Sequence, residues 1–392
     1  GGGGRVALAG LEVIVIGGGV AGLAVAAGLR QSGAQVLLLE QAGGLREVGA
    51  GLQISPNGVR VLRALGLGDG LSHFAMRSNA VILRDGRTAR QVMRLDLPDH
   101  GAGFHLFHRA DLIALLAQAL DGVETRFVAQ VTDVNTTGPR PSVTLHGKEV
   151  LSADLVLGAD GLHSVLRPAL QAGRSESPFF TGQVAWRALI AEGQNPDPQA
   201  QVFMGPGRHL VSYPLRGGQL RNIVAVEERK DWVSEGWNHP DTPANLRAAF
   251  AGFGGPVPQW LSQVDKVFLW GLFRHKVARN WHKDHTAILG DAAHPTLPFM
   301  AQGANMALED AWQLVRCLQQ SPVPDALEQY QRARHARVTK VIEAANRNAR
   351  NYHLRPPIAG LAHAGLRLAS RMRPDAALRR FSWIYDFDVT RP

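Results

Sequence analysis

The chain has 392 residues, of which 45% are hydrophobic, 19% are charged and one, Cys317, is a cysteine. That apolar content excludes a disordered chain, the lone thiol excludes a disulfide scaffold, and ~150 residues per domain predicts two or three domains. The formal net charge is +9, but residues 321–392 carry 13 Arg and Lys against 6 Asp and Glu, so the excess belongs to the tail.

Residues 1–4, all glycine, are set outside the fold. The longest uncharged apolar run, residues 13–29, holds five glycines. It is at the short limit for a membrane span and too glycine-rich for a signal core. A cytoplasmic protein with no membrane partner is expected, and the single thiol fits a reducing compartment.

In chain order, Glu12–Ile16 is a β-branched run, Val20–Gln31 is rich in Ala and Leu at helical spacing, and Gln35–Leu39 is a second buried run before Glu40. Helices are predicted over 57–67 and 109–120, the second capped by Ala110 or Asp111. A short strand is predicted over 154–157. Alternation over 182–190, 209–213 and 222–227 predicts antiparallel strands, with a helical insert near 243–253. A buried strand follows at 286–289. Residues 305–353 read as helix, interrupted around 321–324. The expected fold class is α/β: a Rossmann-like parallel-sheet domain interleaved with a mostly antiparallel β domain, plus C-terminal helices.

The strongest local signal is Gly17-Gly18-Gly19-Val20-Ala21-Gly22, a G-x-G-x-x-G between a strand and a helix. Gly17 permits the tight turn, Gly19 lets a pyrophosphate approach the backbone, and Gly22 lets helix and strand pack closely. The helix N-terminus favours the anion. Glu40 stands at the end of the next strand, where a carboxylate can bind ribose hydroxyls. This motif alone leaves FAD and NAD both open.

Three further segments bear on that choice. Arg46-Glu47-Val48-Gly49-Ala50-Gly51 follows the second strand. The segment from Asp154 through Gly158-Ala159-Asp160-Gly161 to Arg167 ends another. Ala287-Ile288-Leu289-Gly290-Asp291-Ala292-Ala293-His294-Pro295 runs into Gln302-Gly303-Ala304-Asn305 and a helix. Each puts glycine and a polar residue at the C-terminal end of a buried strand, where ligands of open α/β sheets bind.

In this order the motifs resemble the class A flavoprotein aromatic hydroxylases, single-component FAD-dependent monooxygenases, over essentially the whole chain from Leu11. The resemblance implies FAD as the bound cofactor, with Gly17, Gly19, Gly22 and Glu40 on its ADP half. Arg46 and Arg109 would contact the phosphate and ribityl portion, with Ala50 also at the cofactor. Val131 would sit by the adenine, Asp291 on the ribityl chain, and Gly303, Ala304 and Asn305 against the flavin ring. Asp160 and Arg167 match a fingerprint shared between FAD and the nicotinamide cofactor. NADH or NADPH and O2 would be transient co-substrates, and no second dinucleotide motif is present, as in the family. The implied division is an FAD-binding domain over 11–75, 101–175 and 276–322, a substrate domain over 76–100 and 176–275, and a C-terminal helical region over 323–392.

Within the family the chain resembles the salicylate, 3-hydroxybenzoate and 6-hydroxynicotinate hydroxylases. The residues that carry this are Trp186-Arg187, His209-Leu210-Val211-Ser212-Tyr213-Pro214 and Pro298-Phe299-Met300-Ala301-Gln302-Gly303. The implied reaction is hydroxylation of a small aromatic acid through an electrophilic flavin C4a-hydroperoxide, which a phenolate attacks far better than a phenol. If 209–213 is a strand, His209 and Tyr213 share a face about 13 Å apart at full extension and can border one elongated cavity. His209 suits general-base duty. Tyr213 can orient the substrate's carboxylate or hydroxyl, and Gln302 is the third candidate catalytic residue.

No metal spacing and no nucleophile elbow are present, so no metal is expected. His294 is read as shaping the flavin loop. The arginines between Arg332 and Arg350 are read as a solvated or subunit-contact face on a monomer or homodimer, and no nucleic-acid motif accompanies them. Where many relatives carry an Asp–Arg pair, this chain has Phe273-Arg274-His275. Two rival readings remain: a flavin monooxygenase for a larger or non-acidic substrate such as urate, a quinolone or an antibiotic, and a non-catalytic FAD-binding redox regulator.

Overall fold

The structure is a computed structural model that describes residues 7–45, 50–174, 176–193, 195–231, 233, 235, 239–297, 301–356 and 358–392, without the side chains of 348–350. The leading glycines, Arg46 with its neighbours 47–49, and residues 298–300 lie outside the described residues.

Two sheets organise the chain. The first has the strand order His282–Lys283, Thr286–Ile288, Leu155–Gly158, Glu12–Ile16, Gln35–Leu39, Glu124–Arg126. Its pairings are parallel except at the His282–Lys283 edge. The apolar runs in these strands are continuous because both faces are covered. On one side lies the helix Val20–Gln31, buried from Val20 to Leu29 and packed against the later helix Gly303–Gln320.

The second sheet has the order His239–Asp241, Val267–Arg274, Phe179–Ala191, Leu220–Glu228, Arg208–Leu215, Gln199–Gly205, Ala80–Asp85, Gln91–Asp96. It is antiparallel apart from the pairing of Gln199–Gly205 with Ala80–Asp85. Period two gives each strand two faces. One face packs Trp186, Phe203, Leu210 and Ile223 onto Leu246, Phe250 and Trp260 of a helical insert. The opposite face, with Arg187, Val202, His209, Val211, Tyr213 and Val224, lines a cavity. The predicted strands at 182–190, 209–213 and 222–227 all lie within this sheet. The strands Gln199–Gly205 and Val267–Arg274 escaped sequence reading because their apolar residues do not alternate cleanly.

The helix expected at 109–120 runs Arg109–Ala117, and its cap is neither Ala110 nor Asp111. His108, in extended backbone just before it, accepts the Ala110 N–H on Nδ1 at 3.0 Å. Residues inside the first turn already have helical backbone and cannot serve as the cap.

C-terminal to the sheets, Gly303–Gln320 and Val323–Arg350 pack together, and the shorter helices Ile358–Met372, Ala376–Arg380 and Ser382–Tyr385 follow. Here the reading of the tail arginines as a solvated face needs correction. Arg332 is exposed and pairs with Glu328, but Arg334 is fully buried on Glu309 and Asp310, and Arg337 is largely buried on Glu309. Arg337 also donates to the carbonyls of Trp383 and Ile384, at 3.0 and 2.9 Å, tying the chain end to the long helix. Among the described residues no helix is long and apolar enough to cross a membrane.

Candidate active site

One cavity of about 660 Å³ runs between the C-terminal ends of the parallel strands and the inner face of the second sheet. At its dinucleotide end the turn is closed around glycine. Gly17 has φ +103°, and a Cβ there would stand 2.4 Å from the Ala159 carbonyl oxygen; one at Gly22 would stand 1.8 Å from that of Gly17. Gly17, Gly18 and Gly19 all border the cavity, so the helix N-terminus, with its partial positive charge, opens onto it. Glu40 accepts the N–H of Gly18 on Oε1 at 3.0 Å and that of Ala42 on Oε2 at 2.7 Å. Each oxygen keeps a second lone pair for a ribose hydroxyl.

Ala50, Arg109, Val131, Asp160, Asp291, Gly303 and Ala304 also border the cavity. Asp160 accepts the Val165 N–H on Oδ2 at 3.0 Å, and burial pushes its carboxyl above the ordinary range. Asp291 is exposed to the cavity but enclosed by protein, and burial raises its carboxyl too, against the pull of His294 and Arg109. Asn305 turns away: Oδ1 accepts the Ser55 N–H at 3.0 Å, and Nδ2 donates to the carbonyls of Gln53 and Ala301 at 3.2 and 3.0 Å. Arg167 spends its guanidinium on Glu176 and on the carbonyls of Lys276, Ala292 and Ala293. It clamps the Asp291 loop and does not border the cavity.

At the substrate end, His209 and Tyr213 share the predicted face, registered against Val226 and Asn222. His209 is buried, and its Nδ1 lies 2.5 Å from Nε2 of His353. Burial first, then His353, holds its imidazole well below the usual histidine value, so it is neutral. Burial likewise raises the Tyr213 hydroxyl, while Arg109 and the Asn222 amide pull the other way. Asn222 in turn accepts the Gly51 N–H at 3.0 Å. Arg187 stacks over Phe268 at 4.9 Å, and burial, then Arg109, draws its guanidinium down to about 10.

Gln302 borders the cavity, and its amide makes two bonds: Nε2 donates to Ser55 Oγ at 2.9 Å, and Oε1 accepts from Asn57 Nδ2 at 3.1 Å. Those bonds fix the orientation of the amide, and each end keeps capacity for one more bond. Tyr352, Phe381, Ile384 and Tyr385 line the cavity from the C-terminal region. Sequence reading missed these and the clamp behind Asp291. In that clamp Asp310 Oδ2 takes the Gly290 N–H at 3.0 Å and His294 Nε2 at 2.5 Å, and Oδ1 takes Arg334 Nε at 2.7 Å. His294 therefore anchors the loop, as expected. His275, of the departing Arg–His pair, finds its carboxylate in Glu235 at 2.8 Å.

The glycine-closed turn, the helix N-terminus and Glu40 fit the ADP half of FAD, and Asp291, Gly303 and Ala304 line the same cavity. A family model described as FAD binding domain matches residues 10–345. The chain belongs to this family. It is 35% identical, over 96% of each chain, to a 3-amino-4-hydroxybenzoate 2-monooxygenase of Streptomyces platensis. It is 31% identical to a 3-hydroxybenzoate 6-hydroxylase of Klebsiella oxytoca, over 88% of this chain and 89% of that one. A salicylate hydroxylase in its substrate complex shares the fold with a TM-score of 0.81 at 27% identity, over 97% of this chain and 96% of that one. This flavoprotein is a FAD-dependent aromatic-ring monooxygenase.

Proposed function

We propose that the enzyme hydroxylates a small aromatic acid carrying a ring hydroxyl, of the hydroxybenzoate or hydroxynicotinate type, at the expense of NAD(P)H and O2. The observation that carries this reading is the single cavity wall where a buried neutral imidazole, a tyrosine hydroxyl and a guanidinium stand among valines: His209, Tyr213 and Arg187 with Val202, Val211 and Val224. Apolar walls take the ring, and the few polar groups fix its orientation. Arg187 offers a charge partner for the carboxylate, and Tyr213 a donor for carboxylate or hydroxyl. His209 accepts the proton of the ring hydroxyl, which raises electron density on the ring.

When bound, FAD takes its electrons from NAD(P)H and supplies an electrophilic oxygen from O2. The protein's own part is to orient the ring, exclude water and handle that proton. Tyr352, Phe381, Ile384 and Tyr385, which line the chamber from the C-terminal region, supply apolar surface that keeps water from the ring. Proposed cofactor contacts are those at Gly17, Gly19, Glu40, Ala50, Arg109, Val131, Asp160, Asp291, Gly303 and Ala304, with Gly22 acting through the close packing of the helix on the glycine turn.

The deciding experiment is a screen of hydroxybenzoates, aminohydroxybenzoates and hydroxypyridine carboxylates for stimulated NADH or NADPH oxidation, with products identified by mass. One of these acids should stimulate oxidation and emerge with an added oxygen. Stimulation by urate or a larger neutral ring alone would replace the acid reading. No stimulation by any of these rings would overturn the small-acid reading.

A further inference from the structure

We propose that His353 and Glu228 carry the proton of the substrate's ring hydroxyl from His209 to solvent. This rests on the substrate class proposed above. Three titratable groups step outward in hydrogen-bonding range. His209 Nδ1 lies 2.5 Å from His353 Nε2, and His353 Nδ1 lies 3.2 Å from Glu228 Oε1. His209 is 1% exposed at the cavity wall, while the side chain of Glu228 is 43% exposed. The path therefore begins at the cavity wall and ends in water.

The fold holds the middle station in place. His353 closes the turn Asn351–His353 after the long helix, and its carbonyl oxygen accepts the Gly207 N–H at 3.2 Å, pinning that turn to the hairpin beside His209. The two imidazole centroids are 4.7 Å apart, and Tyr352 packs edge-on against His209 at 5.3 Å. The groups that face His353 are His209, Glu228, Gln183, Arg208 and Arg355, with Arg355 Nη2 also 3.2 Å from Glu228 Oε2. Burial, set against the pull of Glu228, holds the His353 imidazole below its ordinary value, so both histidines are neutral near pH 7.

A neutral imidazole can take a proton on one nitrogen while it gives one from the other. The ring hydroxyl O–H breaks and its proton goes to His209 Nε2. The proton on His209 Nδ1 goes to His353 Nε2, and the one on His353 Nδ1 goes to the Glu228 carboxylate, which releases it to water. Both histidines end neutral with their tautomers exchanged, the substrate ends as phenolate, and one proton leaves. A buried histidine with depressed basicity is a poor final resting place for a phenol's proton. As the first member of a relay it need not keep it. His353 and Glu228 are positioning residues in this scheme, since neither touches the ring.

The test follows ionisation of a bound hydroxybenzoate by its absorbance, after rapid mixing with the FAD-loaded enzyme and without NAD(P)H. His353→Gln should slow phenolate formation by at least ~10-fold, while FAD content and substrate affinity stay near wild type. Glu228→Gln, altered only at the half-exposed end where water can substitute, should slow it less and make the rate depend on buffer concentration. Imidazole added to His353→Ala should restore the rate. Wild-type ionisation rates in both His353→Gln and Glu228→Gln would overturn the relay, and so would a slow His353→Ala that imidazole leaves slow. A wild-type enzyme that binds none of these acids overturns the substrate class, and the relay with it; one that binds and ionises them while the variants match it overturns the relay alone.

Discussion

At the dinucleotide end of the cavity, the strand, the glycine turn, the helix and the acceptor carboxylate all come from Glu12 through Glu40, and that carboxylate bonds to its near neighbours Gly18 and Ala42. At the substrate end, Arg187, His209, Tyr213, Tyr352 and Tyr385 arrive from separate parts of the chain and meet only when the second sheet and the C-terminal helices close on each other. The first end is a property of a supersecondary unit, and the second is a property of the whole fold. The loop carrying Asp291 stands between them: it sits in the cofactor half, yet Asp310 and Arg334 of the C-terminal helices hold it.

The comparison can be broken most forcefully at that clamp. Arg334→Met leaves buried Glu309 to Arg337 and buried Asp310 to His294, and removing one partner of a buried pair costs about 3–5 kcal/mol. Urea denaturation should show that loss together with reduced FAD content, although no residue of the glycine motif is touched. Stability within error of wild type would mean that the two ends do not depend on each other here. Gly22→Ala attacks the local unit instead. Its Cβ meets backbone, so a cost on the order of 3 kcal/mol is expected along with loss of FAD, read from the same denaturation curves and the flavin absorbance.

His209→Ala should separate the ends cleanly. Hydroxylation should fall by ~100-fold, in line with loss of a proton-accepting group, while FAD affinity by fluorescence titration stays near wild type. Unchanged turnover and coupling would remove His209 from the chemistry. Asp291→Asn should have a smaller and opposite effect on stability. The folded-state pKa of Asp291 is raised, so ionising it costs the folded protein more and more as pH rises from about 4. The variant should therefore melt at a higher temperature than wild type at neutral pH, with the gap closing as pH falls towards 4, and should hold FAD less tightly. Smallest of all, Arg332→Ala removes an exposed pair with Glu328 and should leave the melting curve unchanged.

How legible each part was follows from the same contrast. The β-branched run at Glu12–Ile16, the glycines and Glu40 are readable because periodicity and turn chemistry act between neighbours. His209 and Tyr213 were readable as a pair because strand alternation assigns them one face. Alternation does not say what that face meets, so His353 and Tyr352 were invisible as its partners. Gln302 was readable as a polar group beside the cavity, but sequence could not show that Ser55 and Asn57 fix the orientation of its amide. Asn305 was placed by resemblance, and sequence could not show that its side chain staples the helix start to Gln53 and Ser55.

The net charge of +9 shows the division most plainly. Sequence by itself determined that the excess lies in residues 321–392, and it determined the cofactor unit, whose residues interact across a few turns of chain. Only the tertiary structure decided what the tail arginines do. Arg334 and Arg337 are drawn inside because Glu309 and Asp310 lie buried on the facing helix, where desolvated charges must be paired. That pairing joins elements remote in sequence, and no local pattern encodes it.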